Sequence, residues 1–225
     1  MSKKILIVAA HPDDEVLGCG GTIARHVAEA DQVHVLLMAD GVGARASTTA
    51  AESHRRLAAM RSAHEIMGVQ NVETLGLPDN QMDSMSLLSI VRLLEPVIEG
   101  LRPSLVYTHH WGDLNLDHRL THEAVITACR PTPSSNVSEI YAFEVLSSTE
   151  WGAPRHAPFV PNLFVDISDQ LTVKMKALEA YVEEMRPSPH SRSLVHAELL
   201  ARHRGNSVGI EAAEAFEVCR IIRKG

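Results

Sequence analysis

The chain has 225 residues, of which 45% are apolar and 22% charged, with a formal net charge of −7. That length suits one large α/β domain with a substantial core. The acidic balance argues against a nucleic-acid or anionic-membrane partner, which demands a basic face, and no stretch approaches the roughly 18 uninterrupted apolar residues of a membrane span.

The opening Met1-Ser2-Lys3-Lys4 runs straight into a strand and lacks a signal-peptide cleavage pattern, so a cytoplasmic location is expected. Ile5 to Ala9 is a continuous aliphatic run, as in a parallel strand covered on both faces. A helix is expected over Gly20 to Ala30 and a second buried strand over Val33 to Met38, which together make a βαβ unit. Residues 49 to 67 carry Leu57, Met60, Ala63, Ile66 and Met67 at helical spacing and stop at Gly68, a C′ position. A short strand over Val72 to Leu75 leads into the loop Gly76-Leu77-Pro78-Asp79. Ser86 to Gly100 reads as a helix that Pro96 kinks or breaks, and Ser104 to Thr108 as a further buried strand. A helix follows over Leu120 to Cys129. The Pro- and Ser-rich segment 131 to 163 and its surroundings hold strands at Ile140 to Val145 and Phe164 to Ile167, in a smaller, partly antiparallel β section. Leu171 to Glu184 is helical, and the tail alternates a helix, a Gly205/Gly209 turn region and the apolar segment Ala215 to Ile222. Alternating strand and helix predicts one Rossmann-like, doubly wound, mostly parallel sheet over residues 1 to 225. Cys19, Cys129 and Cys219 are odd in number and far apart, so they read as small hydrophobes.

Ala10-His11-Pro12-Asp13-Asp14-Glu15 lies at the end of the first strand, the carboxyl edge where open α/β sheets bind ligands. Three carboxylates and one imidazole on a short turn repel one another unless a cation or protons intervene. A divalent metal relieves this: His11 supplies nitrogen and Asp14 oxygen to zinc, leaving Asp13 beside the metal to take a proton from water. The plainer alternative is a helix cap at Asp13 or Asp14 and a turn-filling His11. Gly18-Cys19-Gly20-Gly21 lacks the spacing of a dinucleotide fingerprint and follows an acidic run that would repel pyrophosphate, so close helix packing explains it better. A catalytic zinc takes three protein ligands, and the third is sought in His109-His110-Trp111-Gly112-Asp113-Leu114-Asn115-Leu116-Asp117-His118 after the strand ending at Thr108. His118, at the first turn of a helix, is the choice; His122, four residues on, is the alternative.

An early AHPDDE followed by a later Asp117-His118 resembles the LmbE-like, or PIG-L-like, N-acetylglucosaminyl deacetylases, a superfamily that includes deacetylases of the mycothiol and bacillithiol pathways. The resemblance extends through the helix from Arg56 to Gly68, Leu75-Gly76-Leu77-Pro78-Asp79, Ala177-Leu178-Glu179-Ala180-Tyr181 and the stretch from Arg204-Gly205 to Ala215-Phe216. It implies Zn2+ held by His11, Asp14 and His118, with Asp13 as general base. It also implies a small N-acetylated sugar conjugate as substrate, contacted by Arg56 and Asp79. The departure is Asn115, where many relatives carry the first histidine of H-x-D-H. An amide can donate to an oxyanion but cannot shuttle a proton, so the acid falls to Asp13 itself or to His109, His110 or His190. Asp117 orients the loop or a ligand, or caps the helix.

The Pro-stiffened, polar loop 183 to 192 offers His190 and Arg192 to a phosphate or nucleotide on the conjugate, and Trp111 either stacks on a sugar or joins the core. Arg56 and Asp79 each have a plainer reading, a solvated helix charge and a turn residue. A receiver-like signalling domain would be about half this length; a catalytically inactive sugar-binding relative has no need of Asp13. Zinc-dependent hydrolysis of another amide or ester is the alternative within enzymes. Homo-oligomerisation is left open.

Overall fold

The computed structural model describes residues 2–41, 50–152 and 157–223. Seven strands form one sheet: β1 (Lys4–Ala9), β2 (Gln32–Ala39), β3 (Asn71–Leu77), β4 (Leu105–His109), β5 (Glu139–Phe143), β6 (Leu163–Asp166) and β7 (Ala213–Ile221). The helices are α1 (Asp14–Ala28), α2 (Ala50–Met67), α3 (Leu87–Leu101), α4 (Leu116–Ala128), α5 (Leu171–Ala180) and α6 (Leu194–Asn206). The sheet order is β3-β2-β1-β4-β5-β7-β6, parallel from β3 to β5, with β7 antiparallel to both β5 and β6. This is the doubly wound, mostly parallel sheet that the alternation of elements predicts. None of the described helices is long and apolar enough to cross a membrane.

The aliphatic runs explain the layers. In β1, Ile5, Ile7 and Ala9 face one side and pack with Val16 and Ile23 of α1, Met60 of α2 and Leu178 of α5. Leu6 and Val8 face the other side with Ile90 and Leu94 of α3 and Val125 of α4. Successive residues of a strand point to opposite faces, so a strand buried on both must be apolar at every position. Strand order reverses between β1 and β4, and the crevice outside their carboxyl ends is where such sheets bind ligands.

Several elements differ from the sequence expectation. The first helix begins at Asp14, not Gly20, and contains a non-helical residue at Cys19 (φ −147°). Its first turn pairs two acids with only Val16 and Leu17 before a glycine-rich stretch, too short an apolar run for periodicity to register. The second half of α1 receives its own cap: Glu214 on β7 accepts from Gly21 N at 2.9 Å and Thr22 N at 2.7 Å. Lys174 of α5 neutralises that carboxylate at 2.6 Å and donates to Leu17 O at 2.9 Å across the kink. A Cβ at Gly18 would meet the Phe143 ring at 2.3 Å, and one at Gly21 would meet Ile167 at 2.7 Å, so these glycines serve close packing. Pro96 does not break α3, which runs to Leu101; Pro96 and Arg92, whose carbonyl loses its partner, both lie on the exposed face. The helix expected to reach Glu184 stops at Ala180, and the following turn swings Glu183 and Glu184 onto Arg55 and Arg56 of α2. The first residue of the predicted 49–67 helix lies outside the described residues; Gly68 takes φ 77° as expected.

Lys174 and Glu214 are each 4% exposed. Removing one member of a buried ion pair strands the other charge, which typically costs about 3–5 kcal/mol. Lys174→Ala should therefore lower unfolding free energy in urea by about 3 kcal/mol, the two amide donors to Glu214 holding the loss at the low end. A loss under about 1 kcal/mol would show that the pair is not what secures the kink.

Candidate metal centre and active site

Both sequence motifs meet in the switch-point crevice. The turn after β1 supplies His11, Asp13 and Asp14; the loop after β4 and the first turn of α4 supply Asp113, Asn115, Asp117 and His118. Of these, His11, Asp13, Asp14, Asn115 and His118 line a cleft of about 180 Å³ together with Arg56, Asp79, Ser147, Ser148, Glu184 and Arg192, while Asp113 and Asp117 stand behind the two histidines.

Asp14 Oδ2 is the common point. It lies 3.2 Å from His11 Nδ1 and 3.1 Å from His118 Nε2, and accepts from His11 N at 3.0 Å. Tetrahedral zinc with bonds near 2.0–2.1 Å sets its ligand atoms roughly 3.3 Å apart, so the donor set fits such an ion. The opposite ring nitrogens are also held: His11 Nε2 by Asp117 Oδ2 at 3.1 Å and Asp79 Oδ1 at 3.2 Å, His118 Nδ1 by Asp113 Oδ1 at 3.1 Å. A carboxylate behind each imidazole is the usual support of a metal-binding histidine, since it fixes the tautomer and turns the other nitrogen's lone pair to the ion.

The charges point the same way. Burial opposes protonation of His11, but hydrogen bonds to Asp117 and Asp14 outweigh it and raise the ring to about 9. Burial likewise opposes charge on His118, and Asp14 and Asp113 raise it to about 10. Asp14, buried though it is, is held well below the usual carboxylate range by His118 and His11. The cluster thus demands positive charge, which protons or a metal can supply. Within the described residues, His11, Asp79 and Asp117 also approach one another, but Asp117 already accepts from Asn80 N at 2.7 Å and Met82 N at 3.1 Å. Asp117 therefore ties the β3–α3 connection to α4 and orients His11. The remaining group, His26, Glu29 and Asp31, is partly exposed, and His26 is engaged by Asp31 and by Tyr107 Oη.

Asp13 stands apart from this set. Its backbone takes φ 107°, a strained conformation for a residue other than glycine. Glu15 Oε2 accepts from Asp13 N at 3.0 Å, while Glu15 Oε1 receives Tyr181 Oη at 3.0 Å. The Asp13 carboxyl meets Arg192 Nη1 at 2.8 Å through Oδ2 and Arg56 Nη2 at 3.8 Å through Oδ1. Burial pushes it up, Arg192 opposes that, Asp14 adds to it, and the result is about 7.

Arg56 is mostly buried, donating to Pro12 O at 2.9 Å and pairing with Glu184, so it is no solvated helix charge. Asn115 caps α4, its Oδ1 accepting from Asp117 N at 2.8 Å, and its Nδ2 donates to Asn80 Oδ1 at 2.9 Å. Arg192 donates from Nε to Ser147 Oγ at 2.8 Å. His190 is not brought into the cleft; it is exposed, edge-on to Trp151. The other histidines also stay out of it. His109 accepts from Ala10 N at 2.8 Å and stacks on His118 at 4.0 Å between centroids, with burial holding it well below its ordinary value. Its Nε2 lone pair is thus occupied, although the atom lies 3.7 Å from Asp14. His110 is bonded to Glu217 and Ala157 O, and His122 to His109 O. Trp111 is exposed beside His110.

Sequence reasoning passed over Asp113, Glu184, Ser148 and Thr149. Asp113 is wholly buried and accepts from Thr149 Oγ1 at 2.6 Å, Asn115 N at 2.8 Å and Ser148 Oγ. Its signal was a second carboxylate, besides Asp117, in the run before His118; Ser148 and Thr149 lie in a loop that carries no pattern.

The family model described as PIG-L, GlcNAc-PI de-N-acetylase, matches residues 6–129, and the chain belongs to this family. Fold, family and the His/Asp cluster together support a metal-dependent hydrolase of the deacetylase type. Among relatives, the diacetylchitobiose deacetylase of Thermococcus kodakarensis is 31% identical over 195 residues, 80% of this chain and 69% of that protein. The structure of N,N′-diacetylchitobiose deacetylase from Pyrococcus horikoshii superimposes with a TM-score of 0.79 at 22% identity, covering 97% of this chain and 84% of that one. GalB, the 4-carboxy-2-hydroxymuconate hydratase from Pseudomonas putida KT2440, has a TM-score of 0.74 at 22% identity, covering 99% and 98%. At those identities the likeness concerns the fold, which serves more than one reaction.

His11→Ala, Asp14→Ala and His118→Ala should each lose most of the roughly one zinc per chain expected of the wild type, because a three-ligand site cannot spare one. Asp113→Asn should keep the ligands and weaken zinc affinity by about 10- to 100-fold. Metal analysis after dialysis checks both, and full retention in all three alanine variants would refute the assignment.

Proposed function

We propose that this protein is a zinc-dependent hydrolase that removes acetyl from the N-acetyl group of an N-acetylglucosamine-type sugar conjugate, with His11, Asp14 and His118 holding the metal. The observation that carries the reading is Asp13: a carboxyl buried in the same cleft as the His/Asp set, engaged by arginines and not by that set. A carboxylate left off the metal but beside it is free to take a proton from water.

Zinc in such a site supplies Lewis-acid polarisation of the amide carbonyl and makes water more acidic. The chain's own residues do the rest. Asp13 Oδ2 is bonded to Arg192, so Oδ1 is the oxygen placed to receive a proton from water. The same proton then passes from Asp13 to the departing amine, because His109, His110 and His190 all lie off the cleft. Arg192 and Glu15 hold Asp13 in its strained conformation while this happens. Asn115 has two amide N–H groups; one reaches Asn80, and the other serves the carbonyl oxygen as negative charge develops on it. Asp79 and Arg56, both on the cleft wall, are assigned to the sugar hydroxyls. The curated and structural relatives named for diacetylchitobiose support an N-acetylated sugar as substrate.

Acetate release from a panel of N-acetylglucosamine conjugates by the zinc-loaded protein tests the reading directly. Asp13→Asn should retain zinc and release acetate roughly 100-fold more slowly or worse; near-normal turnover would place the base elsewhere. Asn115→Ser keeps a capping oxygen and adds no charge to the acidic cluster but loses the amide donor, so its thermal stability should stay close to wild type. Its turnover should fall about 100-fold, the usual effect of deleting one preorganised oxyanion donor. Equal rates for the two would limit Asn115 to its cap.

A further inference from the structure

The cleft is small for what it has to accommodate. Sites for drug-sized ligands run to about 300–1,000 Å³, whereas this one holds about 180 Å³. The reacting sugar and its acetyl group fill such a space, so the rest of any conjugate must lie across the rim. One side of that rim is built by two segments clasped together. The turn Thr149–Trp151 follows Ser147 and Ser148 of the cleft wall, and the loop at 190–192 ends at Arg192, also on the wall. Arg192 Nε donates to Ser147 Oγ at 2.8 Å, and Ser191 Oγ donates to Glu150. At the outer end of this clasp Trp151 is 50% exposed, and His190 meets it edge-on at 5.7 Å and 71°. His190 is itself oriented by accepting from Arg192 N at 3.0 Å on Nδ1.

A lone exposed tryptophan needs no explanation. This one differs in being held by an oriented imidazole on a clasp whose inner ends line the cleft. A flat ring with an apolar face and a polar surround suits the C–H face of a pyranose. Resting on the deacetylase reading above, we infer that Trp151 and His190 form an outer subsite that receives a second pyranose ring attached to the reacting N-acetylglucosamine. His190 thereby acts in binding from the rim and not from inside the cleft.

The test compares N-acetylglucosamine with N,N′-diacetylchitobiose as substrates of the zinc-loaded protein. Wild type should prefer the disaccharide in kcat/KM, and Trp151→Ala should shrink that preference by about 2- to 10-fold, the range of one aromatic contact. Trp151→Phe, which keeps a ring, should retain most of it. An independent readout follows from there being two tryptophans in the chain. In Trp111→Phe combined with Asp13→Asn, which slows turnover, Trp151 is the sole tryptophan reporter. Its emission should change saturably with the disaccharide and less with the monosaccharide. A preference unaltered by Trp151→Ala overturns the subsite, and so does an emission that ignores the disaccharide. Absence of acetate from either sugar would instead refute the deacetylase reading, while the emission titration still decides the subsite.

Discussion

The structure turns on one buried carboxylate oxygen, Asp14 Oδ2, placed between two imidazoles at the point where the sheet reverses its order. Around it lie Asp79, Asp113 and Asp117, all buried, and such a concentration of negative charge away from water is costly unless balanced at short range. Unit charges a few ångströms apart interact about four times more strongly at an effective dielectric of 20 than in bulk water, so positive charge here acts far more strongly than on the surface. The histidines are drawn to their charged forms for that reason, and a divalent ion answers the same demand while leaving both rings neutral.

The surrounding fold can be understood as the apparatus that keeps this charge in place. Helix α1 starts on the His11–Glu15 motif itself, so its first turn must present Asp14 and Glu15 to the interior, where an ordinary amphipathic helix presents apolar residues. It then bends at Cys19, with Gly18 packed on Phe143 of β5 just before the bend and Gly21 on Ile167, which follows β6, just after it. Such a bend frees amide N–H groups in the interior, and Glu214 receives them. A capping carboxylate there needs its own partner, which is why a lysine, among the residues least often buried, sits 4% exposed on α5.

Asp13 shows the complementary strategy. Its neighbour Asp14 is committed to the histidines, whereas Asp13 is turned away by a backbone conformation that few residues adopt, and two arginines from distant elements receive its carboxyl. Adjacent acids in one tetrapeptide thereby acquire opposite properties, one held well below and one raised above the ordinary range. Separation of two carboxyl groups by environment is a common way to give the same kind of side chain two different roles.

Much of this was legible in the sequence. Aliphatic runs identified the parallel strands because both faces of each are covered, and the position of His11, Asp13, Asp14 and His118 after such runs placed them at the ligand-binding edge. What periodicity misses is any feature decided by a partner far along the chain. The bend within α1, the passage of α3 through Pro96 and the end of α5 depend on Glu214, on solvent at Arg92, and on Arg55 and Arg56. So do the roles of Asp113 behind His118 and of Arg192 on Asp13, 179 residues away. Hydrophobic pattern and local motif are properties of neighbours in sequence, and they determined the sheet and the residues at its edge. Hydrogen bonds and charge pairs form between neighbours in space, so the tertiary structure alone decided which carboxyl faces the histidines, which faces the arginines, and that His190 stands outside the cleft beside Trp151.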